Sequence, residues 1–170
     1  MSLGRASVES VQDPAAKRPS ETQVTLHQLM LPQHANAHGN VHGGVIMKLV
    51  DEAGGIAAMR HSRRPSVTVA IDSMTFHSAV HVGELLRLDA RLSWVGKSSM
   101  EVEVRVHAEN SLTGATTHTN SAFLVFVAID ANGRPMAVPP LLLGAEDEQR
   151  RFADGEERQR ERLAWKKRGS

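Results

Sequence analysis

The residues of this chain with the greatest chemical content lie between Gly39 and Asp51. They include a side-chain amide at Asn40, a glycine pair at Gly43 and Gly44, and a carboxylate eleven positions after the amide. An Asn side chain can hold a water or a carbonyl, and a carboxylate can accept a proton. Backbone N–H groups at the start of a helix can bind an oxyanion. Together these are the groups that hydrolysis of a thioester requires.

The glycine pair has two interpretations. Gly43 and Gly44 lack a Cβ, so a substrate can approach their backbone closely, and each oxyanion donor is commonly worth about 3 kcal/mol. Alternatively, the pair only permits a tight turn into the helix. Next to Asn40 and Asp51 we favour the oxyanion site. His42, just before the pair, is expected to stabilise the loop or to contact the substrate.

Asp51 is predicted to be the general base or the group that orients the attacking water. The alternative is an ordinary exposed Asp on a helix. Asn40 can instead be a turn residue or a helix N-cap, for which Asn is well suited. A capping geometry would still leave its amide facing a pocket, so the two roles are compatible.

A helix is predicted from about residue 41 to residue 61. Its buried stripe, at helical spacing, comprises Ile46, Leu49, Val50, Ala53 and Ala57. Asp51 falls about 140° from Ile46 on the helical wheel. It lies among the small residues Gly44, Gly55 and Ala58, a surface suited to close approach of another backbone.

Five strands are predicted around this helix, one before it and four after it. They cover residues 22–30, 67–77, 86–94, 100–106 and 116–129, mostly with alternating apolar and polar side chains. Turns at Gly83, at 96–98 and at 112–114 are expected to join neighbouring strands as antiparallel hairpins. The layout is α+β, with one antiparallel sheet and a single long helix on one face.

Three regions are predicted along the chain. Residues 1–21 mix small, polar and charged types without a period and form a flexible N-terminal arm. Residues 22–144 form the domain. Residues 145–170 are highly charged and form a solvated helical extension that packs on the domain through Phe152, Leu163 and Trp165.

Composition excludes several classes of function. The net charge of +1 and the absence of Tyr argue against nucleic-acid binding, and the absence of Cys excludes thiolate sites. No apolar run approaches the roughly 18 residues of a membrane span, and no secretory segment is visible, so a cytoplasmic location is expected. His34, His38 and His42 are spaced four apart, but Pro32 and Gly39 oppose a helix there, so no metal site is expected.

Several motifs resemble the cytosolic acyl-CoA thioesterases of the hot-dog fold. These are Ala35-Asn36 followed by Gly39–Gly44, then Lys48–Gly54, Val95–Val102, Val138–Pro140 and Glu146–Phe152. The likeness spans roughly Thr22 to Leu163. It implies a long central helix wrapped by a curved antiparallel sheet of about five strands, followed by the charged C-terminal helical extension. It also implies hydrolysis of acyl-CoA to a free acid and CoA, without a cofactor, since CoA is part of the substrate.

The resemblance further implies active sites shared across a homodimer, assembled into a hexamer as a trimer of dimers. Each site would use Asn40 from one subunit and Asp51 from the other. Many short bacterial members carry an Asp at the position of Asn40, which leaves the water-activating group open. For the CoA phosphates, the resemblance indicates Lys97 and Ser98, and Arg60 at the end of the helix is a further candidate.

Two alternatives use the same fold. One is an acyl-carrier dehydratase, an enzyme class that pairs a catalytic His, here His42, with an acidic residue. The other is a non-catalytic module that binds acyl-CoA. Fold alone does not decide among the three functions.

Overall fold

The computed structural model describes residues 15–168. Most of the predicted arm, residues 1–14, and the last two residues lie outside this part. The elements are α1 (Pro19–Thr22), β1 (Val24–Leu29), a 3₁₀ turn (Pro32–His34), α2 (Gly43–Ser62), β2 (Ser66–Phe76), β3 (Glu84–Val95), β4 (Ser99–Asn110), β5 (Thr116–Ala128) and α3 (Glu146–Arg168). Among these described helices, none has the apolar length that crossing a membrane requires.

The five strands form one antiparallel sheet in the order β1-β3-β4-β5-β2. The turns at 96–98 and at 111–115 join neighbours, as predicted. The predicted hairpin at Gly83 is wrong, because β2 pairs with β5 while β3 pairs with β1 and β4. Between β2 and β3 the chain passes over β5 and β4, which local turn residues cannot reveal. As a result, β2 is an edge strand.

Helix α2 lies across one face of the sheet and contacts all five strands, so the sheet curves around it. The predicted apolar stripe from Ile46 to Ala57 is buried, which confirms that prediction. At Gly54 the helix approaches the sheet so closely that a Cβ would lie 3.0 Å from the ring of Phe126. Ala58, predicted on the open side with Asp51, is instead fully buried, because the curved sheet covers a wider arc of the helix than the stripe.

Helix α3 lies on the opposite face of the sheet. Its Gly155 meets the sheet so closely that a Cβ would lie 2.6 Å from Cβ of Trp94, which explains a glycine in mid-helix. Phe152 packs against the core, as predicted. The predicted packing of Leu163 and Trp165 is wrong, since they are 50% and 75% exposed. The contacts that hold this half of the helix are charged rather than apolar.

The described part of the predicted arm is attached to the domain. The backbone of Lys17 exchanges two hydrogen bonds with the chain at 140–142, over 3.0 and 2.9 Å. Its Nζ donates to the backbone oxygen of His61 at 2.6 Å, and Thr22 is buried. Residues 17–23 therefore close the C-terminal end of α2.

His61 is the titratable group beneath this closure. Its side chain is fully buried, and Nε2 lies 2.8 Å from the backbone oxygen of Pro139. Because a carbonyl only accepts, Nε2 carries the proton and donates. Within residues 15–168, Nδ1 has no hydrogen-bond partner. Burial lowers the pKa of His61 below its usual value, so the ring is held neutral.

Candidate active site

The loop that leads into α2 is closed by the side chain of Asn36. Its Oδ1 accepts the backbone N–H of His38 at 2.9 Å and that of Asn40 at 3.2 Å. Gly39 adopts a φ of +81° within this loop, a conformation that favours glycine. Two hydrogen bonds to its oxygen therefore orient the Asn36 amide. Its Nδ2 has no acceptor in the part of the chain that the structure describes and remains a donor.

A pocket of about 310 Å³ opens beside this loop. Asn36, Asn40 and Gly43 supply its polar wall, and the apolar wall includes Ile46 and Phe76. Asn40 pairs through its backbone with the chain at residue 81, and its side chain makes no hydrogen bond to any described residue. The pocket therefore places two amide side chains and a helix N-terminus beside an apolar surface.

His42 is the N-cap of α2. Its Nδ1 accepts the backbone N–H of Gly44 at 2.9 Å, so the cap of this helix is His42 and not Asn40, the residue that the sequence offered as a possible N-cap. The N–H of Gly44 is thus already bonded within the protein. The N–H of Gly43 has no acceptor among residues 15–168, so Gly43 is the free donor of the predicted pair.

Asp51 lies midway along α2 and is only partly buried. Its Oδ1 accepts a hydrogen bond from Oγ1 of Thr68 on β2, over 2.6 Å. The other carboxylate oxygen, Oδ2, has no partner in the described chain. Thr68 therefore fixes the rotation of the carboxylate and leaves one oxygen free to accept a proton.

Within one protomer these groups form two separate sets. Asp51 follows Gly43 by eight residues on α2, which places it about 12 Å further along the helix axis. Neither Asp51 nor Thr68 lines the pocket that contains Asn36 and Asn40. The structure thus brings the amides and the helix N-terminus together, but not the carboxylate.

The residues predicted to bind CoA do not meet in one place. The guanidinium of Arg60 donates to two backbone oxygens of the segment 21–23, over 2.6 and 3.3 Å. Lys97 and Ser98 form the turn between β3 and β4, and their backbone oxygens accept N–H groups of the chain at 128 and 138. The side chain of Lys97 is exposed. The assignment of all three residues to CoA stays a prediction.

Comparison with known proteins places the chain in a family. Residues 38–115 match the model of the thioesterase superfamily. The chain is 37% identical over 153 residues to the cytosolic acyl coenzyme A thioester hydrolase of Mus musculus, which aligns with 89% of this chain. It is 35% identical over 138 residues to the uncharacterized acyl-CoA thioester hydrolase YkhA of Bacillus subtilis, covering 81% of this chain and 80% of that protein. The chain belongs to the acyl-CoA thioesterase family. It spans 40% of the length of the mouse relative.

Solved structures of family members confirm the predicted hot-dog fold. A hexameric acyl-CoA thioesterase superposes with a TM-score of 0.84 at 35% identity, covering 91% of this chain and 98% of that one. The acyl-CoA hydrolase of Staphylococcus aureus, solved with butyryl coenzyme A, coenzyme A and coenzyme A disulfide, gives 0.83 at 29% identity, covering 92% and 94%. Three variants of that hydrolase have also been solved, in which an Asn, an Asp or a Thr is replaced by Ala. The Asp lies 15 residues after the Asn, and the Thr lies 17 residues after the Asp.

Two residues of the site in this acyl-CoA thioesterase family member were not predicted from the sequence. Thr68 is one of several Thr residues in strands, and only the fold brings it to Asp51. Asn36 was part of the quoted motif, but its orientation depends on two hydrogen bonds within the loop. The spacing of the Asn, Asp and Thr that are replaced in the S. aureus hydrolase points to both, whereas this sequence by itself carries no such signal.

Proposed function

We propose that this chain hydrolyses acyl-CoA to a free carboxylic acid and CoA. The observation that carries the proposal is the Asp51 carboxylate, with Oδ1 bonded by Thr68 and Oδ2 free. A carboxylate held in this way is suited to take a proton from a water molecule. The family relationship supports the same activity, since relatives of this chain are named acyl-CoA thioester hydrolases.

In the proposed reaction, Oδ2 of Asp51 accepts a proton as the water oxygen attacks the thioester carbonyl carbon. The tetrahedral oxyanion is stabilised by the N–H of Gly43 at the start of α2, where the helix dipole favours negative charge. Collapse of the intermediate breaks the C–S bond. The CoA thiolate takes the proton from Asp51 and leaves, and the acyl group leaves as the acid.

A second oxyanion donor is proposed to come from Asn36, with Asn40 as the alternative that the motif first indicated. Asn36, Asp51 and Thr68 reproduce the separations of 15 and 17 residues between the substituted positions of the S. aureus hydrolase. The Asn36 amide is also oriented through its oxygen, whereas no described residue orients the side chain of Asn40. An oriented donor needs no reorganisation during the reaction, which favours Asn36.

We propose that two subunits complete each site, because within one protomer Asp51 does not line the pocket and lies about 12 Å beyond Gly43 along the helix axis. Strand β2 supports this assembly. It is an 11-residue edge strand, and around Thr68 it exposes Val67, Val69 and Ile71 by 43%, 55% and 43%. A long apolar edge strand is a surface for pairing with another chain. A symmetric dimer then has two equivalent sites.

Higher assembly and location are also proposals. The hexameric state of solved relatives supports a trimer of dimers. The names of the mammalian relatives support a cytosolic location. CoA enters as part of the substrate, and Lys97 and Ser98 remain candidates for its phosphates. Arg60 is the weaker candidate because its guanidinium already binds backbone oxygens.

The direct test is thioester hydrolysis across an acyl-CoA series from acetyl to palmitoyl, followed as release of free thiol. The protein contains no Cys, so it adds no thiol background. Turnover with a maximum at some chain length is the expected result. Binding of acyl-CoA without thiol release would contradict the proposal and favour the binding module.

The dehydratase alternative is tested by His42→Ala. Nδ1 of His42 already accepts the N–H of Gly44, so the proposed hydrolysis needs no proton transfer by this ring. We expect the variant to keep thioesterase turnover. Loss of activity in His42→Ala together with full activity in Asp51→Ala would favour a dehydratase.

A further inference from the structure

A charged cluster on the outer face of the sheet plays no part in the reaction described above. At its centre is Glu101 of β4, which is fully buried. Its carboxylate accepts hydrogen bonds from Arg158 at 2.7 Å, from Arg162 at 3.2 Å and from Ser93 at 2.6 Å. Arg158 also lies over the ring of Phe123, 3.8 Å from its centroid. A buried carboxylate needs such partners, so the two arginines dock α3 on β4.

Arg162 extends this cluster to the edge of the sheet. Its Nε donates to Oδ1 of Asp72 at 2.7 Å, and its Nη2 bonds Oδ2 of the same carboxylate. The two side chains are only 17% and 21% exposed. Burial alone would lower the pKa of Arg162, but its bonds to Asp72 and Glu101 raise the pKa, so the guanidinium stays charged. Arg162 therefore ties α3 and β4 to strand β2.

Asp72 occupies a special position in β2. The register with β5 skips Val69, between Thr68 and Ala70, and skips Asp72, between Ile71 and Ser73. Bulges of this kind bend a strand and re-aim its side chains. Thr68, which holds Asp51, comes just before the first bulge. The residue at the second bulge is Asp72, whose carboxylate is bonded by Arg162.

We propose that Arg162 is a positioning residue for the site: by holding Asp72 it fixes the bulged path of β2, and thereby the Thr68 hydroxyl that orients Asp51. Its effect on turnover rests on the proposed thioesterase function. Arg162 does not touch the substrate. Arg158 and Arg162 both dock α3 through Glu101, whereas the additional bond from Arg162 to Asp72 reaches β2 and acts on the strand.

The first test is steady-state kinetics of Arg162→Ala and Asp72→Ala with the best acyl-CoA substrate. Each is expected to lower kcat by about tenfold, the effect of one disturbed hydrogen bond at a base, and to leave KM within about twofold. The control is Arg160→Ala on the same helix, whose side chain pairs, among residues 15–168, only with the exposed carboxylates of Glu156 and Glu157. It is expected to behave as wild type. Unchanged kcat in both Arg162→Ala and Asp72→Ala would overturn the proposal.

The second test separates positioning from general stability. If Arg162 acts through Thr68, Arg162→Ala has no further effect on kcat in a Thr68→Ala background. A further tenfold loss in that background would overturn the proposal. If Arg162→Ala does not fold, kcat of Asp72→Asn is compared in the wild-type and Thr68→Ala backgrounds instead. This substitution keeps the size of the side chain and removes its charge.

The third test does not depend on turnover. Hydrogen exchange of residues 66–76 is expected to be faster in Arg162→Ala than in Arg160→Ala, because the strand has lost its tether. Equal exchange in the two variants would overturn the inference even if wild type hydrolyses acyl-CoA. If exchange is faster in Arg162→Ala but wild type releases no thiol, the role of Arg162 in holding β2 is supported and the proposed thioesterase function is rejected.

Discussion

Oγ1 of Thr68 donates a hydrogen bond to Oδ1 of Asp51 over 2.6 Å and so joins the edge strand β2 to the middle of α2. The bond sets the orientation of a carboxylate whose second oxygen is free in the described chain. It also places that carboxylate against β2, an edge strand with exposed apolar side chains, rather than inside the pocket of its own subunit. The function of Asp51 therefore depends on the surface that packs against strand β2.

Replacing Asp51 by Asn is expected to lower kcat by about 10²–10⁴, the usual contribution of a general base. Thr68→Val keeps the shape of the side chain and removes its donor, so a loss of about tenfold in kcat is expected. The matched control is Glu52→Gln, since Glu52 pairs with Lys48 on the helix surface at 2.8 Å and does not line the pocket of the site. Thiol release measures all three, and full turnover by Asp51→Asn would reject the mechanism.

The fold was predictable from the sequence to the extent that local pattern determines it. Strands β3 and β4 alternate because one face meets α2 and the other does not, and the stripe of α2 faces the sheet. Strand order was not predictable, because the pairing of β2 with β5 joins residues more than forty positions apart. The prediction that Leu163 and Trp165 pack on the domain was wrong because α3 is held by the close approach at Gly155 and by arginines rather than by apolar side chains.

The site was predictable where its residues are neighbours in sequence. Gly43 and Asn40 line one pocket, but the helix cap is His42, whereas the sequence had offered Asn40 for that role. Sequence could not show that this cap uses the N–H of Gly44, since hydrogen bonds depend on side-chain orientation. The partner of Asp51 comes from a strand 17 residues later, so only tertiary structure identifies it.

The roles of the two asparagines are separated by Asn36→Asp. The new carboxylate keeps an oxygen for the two backbone N–H groups that close the loop, but it has no Nδ2 donor. We expect kcat to fall by about 10²–10³, as for loss of an oxyanion donor. Asn40→Asp, made in parallel, is expected to have the smaller effect. The opposite order would assign the oxyanion donor to Asn40.

Acid is expected to destabilise the fold through His61. Burial holds its folded-state pKa below the ordinary 6.5, with the hydrogen bond to Pro139 acting in the opposite direction. As pH falls through about 6.5, His61 binds a proton in the unfolded chain but stays neutral in the folded protein, so the free energy of unfolding decreases. Above that pH the contribution is constant.

Urea unfolding of wild type and His61→Gln across about pH 5–8 measures this effect. The Gln side chain can still donate to Pro139 but does not titrate, so the acid loss of stability is expected to be smaller. Part of the loss of stability in acid remains, because His107 also has a lowered pKa. Burial is the main cause of that shift, followed by the charges of Arg87 and His118. An identical pH dependence in the two proteins would contradict the assignment to His61.

Assembly through β2 is tested by Val69→Lys. Val69 is 55% exposed in the protomer, and a charge there opposes burial against a second copy. We expect sedimentation to show a smaller species with little turnover, although Asp51 and Thr68 are unchanged. Leu112→Lys, at a turn residue that is 94% exposed, is the control and is expected to keep both assembly and activity. A fully active Val69→Lys monomer would contradict a shared site.

Subunit complementation tests the shared site itself. Asp51→Asn and Asn36→Asp alone are each expected to keep at most about one hundredth of the wild-type turnover, because each impairs one half of every site. If the halves come from different subunits, co-expression of the two variants in equal amounts restores intact sites in mixed dimers. Random pairing then gives about a quarter of the wild-type number of sites, since each intact site needs its Asp from one variant and its Asn from the other. If both halves came from one subunit, every site would retain a defect and co-expression would restore no activity.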